Sequence, residues 1–127
     1  MIVVDGSALF AILLNEEGEA SVEKVLGQNA TLLISAGSLS EMLIVAARKR
    51  LLDPMQDLLA TLGPTIIPLT EERALAAADA YQRWGKGFHL AKLNICDSFA
   101  YALAEEYGCP LLYVGDDFTL TDIRAAI

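Results

Sequence analysis

The spacing of four short apolar runs constrains this chain more than any other feature. They are Ile2–Val4, Leu32–Ser35, Thr65–Ile67 and Leu111–Val114, with long helical patterns between them. Runs this short read as buried strands, and their alternation with helices predicts an α/β fold around a mostly parallel sheet. With 127 residues, the chain has the length of one domain, so residues 1–127 are expected to form a single unit. A chain of this size buries enough surface to need neither disulfides nor a structural metal.

The helices between the runs carry recognisable ends. Ser7 is placed to cap a helix running to about Leu14, and Glu19–Leu26 forms a second, short helix. Ser38-Leu39-Ser40-Glu41 has the form of a capping box opening a helix to about Leu52. Asp53-Pro54 restarts a helix that Gly63-Pro64 breaks, and Thr70 caps a helix from Glu71 to about Trp84. Trp84 to Asn94 reads as a long loop, after which Asn94 caps a helix to about Tyr107. Cys96, Phe99, Ala100, Leu103, Ala104 and Tyr107 mark that helix's apolar stripe. Gly108 stops it, Gly115-Asp116-Asp117 forms a polar turn, and Thr119–Ile127 suggests a last short helix or strand.

Active sites of parallel α/β sheets form where strands end and helices begin. Asp5 directly follows the first strand, Glu41 lies in the first turn after the second, and Asp116 and Asp117 follow the fourth. Asp97 opens the helix that feeds the fourth strand, so it starts at the same edge. The helix before it is expected to end at the opposite edge, with the long loop climbing back; about ten extended residues span ~33 Å. Each acid also has a plain role: capping for Glu41 and Asp97, a turn pair for Asp116 and Asp117. Asp5 is hardest to explain that way, because it stands between an apolar strand and an apolar helix.

Carboxylates gathered at one edge repel, by about 4 kcal/mol for a pair 4 Å apart at an effective dielectric near 20. Helix dipoles at Glu41 and Asp97 offset only about 1 kcal/mol each. Raised pKa values or bound cations must absorb the rest, and an all-oxygen donor set suits Mg²⁺ or Mn²⁺. The single histidine, His89, and two cysteines, Cys96 and Cys109, make neither a zinc site nor a hydrolase triad with Ser7 or Ser38. The absence of a disulfide framework fits a reducing compartment. The apolar start lacks a basic leader, and no run reaches the ~18 apolar residues of a membrane span, so a cytoplasmic location is expected. The net charge of −8 argues against holding nucleic acid by charge alone, but not against cutting it with metal ions.

Three stretches resemble the PIN-domain ribonucleases, specifically the VapC-type toxins of bacterial toxin–antitoxin pairs: "MIVVDGSALFAILLNE", "ISAGSLSEMLIVAARK" and "YQRWGKGFHLAKLNICDSFAYALAEEYGCPLLYVGDDFTLTDI". The resemblance covers nearly the whole chain in one register. It implies a three-layer α/β/α fold with a central sheet of four to five strands. It also implies metal-dependent endonucleolytic cleavage of RNA, with Asp5, Glu41 and Asp97 as the core metal-site acids and Asp116 or Asp117 as the fourth. Ser7 matches the hydroxyl residue that supports the first acid. Gly6 stands where the family usually has Thr or Ser, and Ile95-Cys96-Asp97-Ser98 replaces its more usual Gly-Asp-Cys run.

RNA must be met by positive charge, and Lys86, His89 and Lys92 lie on the loop that delivers Asp97. Trp84 and Phe88 have the faces to stack on bases, although Trp84 also ends an apolar helix face. Arg48, Lys49 and Arg50 suit a helix C-terminus without any functional role. The helices Ala8–Leu14 and Met55–Leu62 carry more apolar residues than one buried face requires, which marks an interface. The resemblance implies a homodimer and a cognate antitoxin packed on these helices, with an antitoxin residue, often Arg, entering the acidic pocket. The alternatives are a degenerate PIN domain that only binds RNA or protein, which intact acids disfavour, and a phospho-acceptor receiver domain. The latter needs paired acids after the first strand and a Lys after a late one, neither of which is present.

Overall fold

The computed structural model describes all residues, Met1–Ile127. The elements follow in the order β1 (Ile2–Val4), α1 (Gly6–Leu13), α2 (Glu19–Gln28), β2 (Leu32–Ser35), α3 (Ala36–Arg48), α4 (Leu52–Leu62), β3 (Thr65–Ile67), α5 (Glu71–Trp84), α6 (Ile95–Tyr107) and β4 (Leu111–Leu112). The four strands form one parallel sheet in the order β3-β2-β1-β4. No helix is long and apolar enough to cross a membrane.

Both faces of the sheet are covered, which is why its strands read as unbroken apolar runs rather than alternating ones. Val3, Leu33, Ile67 and Leu111 face α5 and α6, together with Leu93, Tyr101 and Phe118. Ile2, Val4, Leu32, Ile34 and Leu112 face the other way, into a core built with Leu9, Val22, Met42 and Met55. The result is the expected three-layer α/β/α arrangement. The tail adds a rudimentary fifth strand: Leu111 pairs with Ala125 in parallel, through Leu111 N–H to Arg124 O and Ala126 N–H to Leu111 O. That settles the tail as strand-like rather than helical.

Several local expectations need correction. The helix after β2 begins at Ala36, not Ser38, because Ser35 caps it by accepting from the Gly37 N–H at 3.2 Å. Ser38-x-x-Glu41 is therefore no capping box, and Glu41 lies in the second helical turn. That helix also stops at Arg48, where Arg50 takes a left-handed φ of 57°. Asp5 rather than Ser7 caps α1. The fourth strand ends at Leu112, and α6 is buried more widely than one stripe, with Tyr101 and Ala102 also enclosed. The apolar surplus on α1 and α4 is partly absorbed by the fold, since Phe10, Leu13, Leu58 and Leu59 are half-buried against the core.

The loop after α5 does not climb across the sheet. Its ends are tied together, with Leu93 N–H donating to Trp84 O at 3.1 Å and Lys86 N–H to Leu93 O at 3.0 Å. Thus α5 ends beside the start of α6, and the residues between form a closed excursion. Local backbone bonding decides this, with Gly87 at φ 93° making the turn.

Two glycines let α3 approach the starts of α1 and α6. A β-carbon on Gly6 would stand 2.7 Å from Met42 Cγ, and one on Gly37 would stand 2.5 Å from Phe99 Cδ2. The first contact is with a flexible side chain; the second is with an aromatic ring that cannot fold away. Gly37→Ala is therefore expected to destabilise the protein by about 1–3 kcal/mol, measured as a lower denaturant midpoint, while Gly6→Ala loses less because Met42 can repack.

Candidate functional site

The β1–α1 junction fixes Asp5. Its N–H donates to Leu112 O at 2.9 Å, which holds it beside β4. Its Oδ2 accepts from the Ser7 N–H at 3.1 Å and from the Ser7 hydroxyl at 2.6 Å. Ser7 Oγ in turn accepts from the Val114 N–H at 3.0 Å. Ser7 thus links the end of β4 to the carboxylate and leaves Asp5 Oδ1 without a hydrogen bond.

Asp97 is pinned in the same one-sided way. Asn94 and Asp97 form a reciprocal cap: Asp97 N–H donates to Asn94 Oδ1 at 2.8 Å, and Asn94 N–H donates to Asp97 Oδ2 at 3.0 Å. The residue is only 8% exposed, and Asp97 Oδ1 carries no hydrogen bond. Capping and a functional role are compatible here, because they use different oxygens.

Electrostatics show which acids meet. Burial holds the Asp5 carboxyl above its ordinary pKa against the pull of its Ser7 hydrogen bonds, and the charges of Glu41 and Asp117 push the same way. Burial pushes Asp97 up to about 7, opposed by the Asn94 backbone hydrogen bond and reinforced by Asp5, Asp117 and Glu41. The charges of Glu41 and Asp117 therefore reach both buried acids. Asp116 shapes the turn through its carbonyl, which accepts from the Thr119 N–H and hydroxyl, at 3.2 and 2.8 Å. Of the two neighbours left open by the sequence, Asp117 is the one whose charge ranks among the main influences on Asp5 and Asp97.

No basic side chain neutralises the cluster. The ion pairs are Arg73–Glu106, Arg83–Asp79 and Arg83–Glu105, none of which involves these four acids. Desolvated carboxylates with free oxygens and no counter-charge form a donor set suited to a hard divalent cation. In their present rotamers no three of them converge on one ion, so coordination requires side chains to turn inward.

One neighbour escaped sequence reasoning. Cys96, read there as part of an apolar stripe, lies near the acids: burial pushes its thiol up to about 12, helped by the charges of Glu41, Asp97 and Asp5. Its position next to Asp97 was the available signal. The thiol stays protonated and is no nucleophile.

The predicted basic contacts form no ion pair with the acids. Lys86, His89 and Lys92 are all exposed. His89 helps shape the loop, since its Nδ1 accepts from the Ala91 N–H at 3.0 Å and its ring meets Trp84 edge-on at 4.8 Å. Trp84 is half-buried against the core, whereas Phe88 is 62% exposed.

Comparison with known proteins places this geometry in context. The PIN-domain profile matches residues 2–123. The chain is 37% identical to ribonuclease VapC42 of Mycobacterium tuberculosis, with 98% of each chain covered. It is equally identical to a ribonuclease VapC of Mycolicibacterium smegmatis, over 97% of this chain and 98% of the relative. Among solved structures, VapC20 of Mycobacterium tuberculosis, described as a sarcin–ricin loop cleaving toxin, superposes with a TM-score of 0.77 at 15% identity over 97% of this chain and 96% of its own. A toxin–antitoxin complex from Klebsiella pneumoniae gives 0.71 at 18% identity, over 96% and 93%.

Proposed function

The chain belongs to the PIN-domain family, and from that premise we propose that it is an endoribonuclease, the toxin of a toxin–antitoxin pair, hydrolysing RNA phosphodiester bonds with Mg²⁺ or Mn²⁺. The observation that carries this reading is the uncompensated set of Asp5, Glu41, Asp97 and Asp117 at the strand ends. Intact acids at each position disfavour a degenerate binding module.

A divalent ion bound here supplies charge neutralisation at the phosphate and makes a water acidic enough to attack at neutral pH. Asp5 and Asp97, each with one carboxylate oxygen free of hydrogen bonds, would hold it. Glu41 and Asp117 would orient the attacking water, and one of them would take its proton. No protein nucleophile is required. Purified protein should cut a pool of structured RNAs with Mg²⁺ and leave it intact with EDTA; cleavage that persists in EDTA sinks the metal-dependent reading.

Lys86 and Lys92 are the phosphate contacts in this account, with His89 beside them. Replacing both lysines by alanine should weaken RNA binding and reduce the slope of log affinity against log salt by about 1.5–2. An unchanged slope in a filter-binding titration removes the loop from the RNA path.

The antitoxin partner follows the same reasoning. Neighbours by fold include the toxin–antitoxin complex from Klebsiella pneumoniae named above. On this chain, Leu39, Leu43, Leu59 and Ile66 line a shallow apolar groove between α3 and α4, and Ile44 beside it is 56% exposed. An antitoxin segment would cover it. Pairing with a second copy would use the remaining exposed apolar side chains, among them Leu75 and Leu90.

A further inference from the structure

The Ser38 side chain is only 3% exposed, and its hydroxyl has no hydrogen-bond partner. Buried hydroxyls are nearly always paired, so an orphan needs a reason. Its place on α3 supplies one. Gly37, one residue earlier, packs against Phe99 in the first turns of α6, and Met42, four residues later, packs against Gly6 at the start of α1. Ser38 therefore belongs to the stretch of α3 that meets both helices whose starts carry Asp5 and Asp97.

Glu41 stands three residues beyond Ser38, on the same helical face. Helical side chains lean toward the N-terminus, so the Glu41 chain lies back over the turn that holds Ser38. Its carboxylate accepts no hydrogen bond from any residue, and its charge reaches Cys96, Asp97 and Asp5. A cation drawing the four acids together would fix that carboxylate while it still lacks a donor, and Ser38 has a donor without an acceptor.

We propose that Ser38 is a positioning residue for Glu41, its hydroxyl donating to the Glu41 carboxylate when a divalent cation occupies the acidic cluster. This rests on the cation reading given above. Ser38 does not touch the ion; it fixes the carboxylate that serves it, as partners of metal-site residues commonly do.

The experiment follows Mn²⁺ binding and melting temperature in the full chain, comparing wild type with Ser38→Ala, Ser38→Thr, Glu41→Gln and the double variant Ser38→Ala with Glu41→Gln. Removing an unpaired buried hydroxyl should raise the metal-free melting temperature by a few degrees. The same substitution should weaken Mn²⁺ about tenfold, Ser38→Thr should restore most of that loss, and Ser38→Ala should cost nothing further once Glu41→Gln is present. Unchanged Mn²⁺ affinity in Ser38→Ala overturns the proposal. So does an equal loss in both Glu41 backgrounds, or a fall in melting temperature that is the same with and without Mn²⁺, which marks a purely structural hydroxyl. If wild type itself binds no Mn²⁺, the cation reading fails, and Ser38's role falls with it.

Discussion

Metal-free protein is expected to lose stability as the pH rises from about 4 to about 7, and Asp97→Asn is expected to abolish most of that loss. The folded protein holds the Asp97 carboxyl up to about 7, against an ordinary value of 3.8. Between those values the folded state binds a proton that the unfolded state releases. Stability is therefore highest on the acid side and falls as pH climbs through that window, opposite to the usual behaviour of a salt-bridged carboxylate. Asp5 is shifted in the same direction. The Asp97 contribution is on the order of 3 kcal/mol, or roughly 10 °C in melting temperature for a domain of this size. Thermal melts of wild type and Asp97→Asn across this range measure the difference directly. Divalent metal should restore the neutral-pH stability of wild type by mass action and do little for the variant.

The second large effect is on catalysis. Asp5→Asn and Asp97→Asn should each reduce RNA cleavage by about 10³-fold or more, because each removes charge where the cation must sit. Both variants should remain folded, since an amide oxygen can still accept the N–H of Ser7 or Asn94. Asp116→Asn should keep nearly full activity and Asp117→Asn should not, because Asp117 ranks among the main charges acting on Asp5 and Asp97. Rates under single-turnover conditions with saturating Mg²⁺ separate these outcomes from differences in RNA affinity.

Much of this arrangement was legible in the sequence because it follows from periodicity and chain direction. The first three strands, helix α5 and helix α6 are bounded by residues whose chemistry marks them: Thr70 and Asn94 as caps, Gly63 and Gly108 in left-handed stops. Convergence of acids at the strand ends is likewise a matter of parallel topology. The misread features depend on tertiary contact. Ser35 was counted as strand, yet its side chain caps α3, so the apparent Ser38–Glu41 box had the right residues in the wrong turn. The loop after α5 is closed by backbone bonds between Trp84, Lys86 and Leu93, which no side-chain pattern announces. The turn at Gly115, with φ 100°, and the Thr119 bonds to the Asp116 carbonyl, which set how Asp116 and Asp117 sit, are likewise invisible to a side-chain pattern. Cys96 beside Glu41 could be found only by bringing α3 against α6.

The departures from the family pattern also acquire causes. Gly6, where Thr or Ser is usual, leaves room for Met42, and Ser7 alone supplies the hydroxyl that holds Asp5. Cys96, the residue before Asp97, sets a protonated thiol near the acids, kept so by burial and by the charge of Glu41.

The central claim is that these acids form a cation site whose charge is held back by protonation until an ion arrives. Calorimetric titration of Mn²⁺ at about pH 6.5, in two buffers of different ionisation enthalpy, tests it most directly. Saturable binding is expected, accompanied by proton release that disappears in Asp97→Asn along with most of the affinity. Absence of binding, or binding that Asp97→Asn leaves unchanged, contradicts the account.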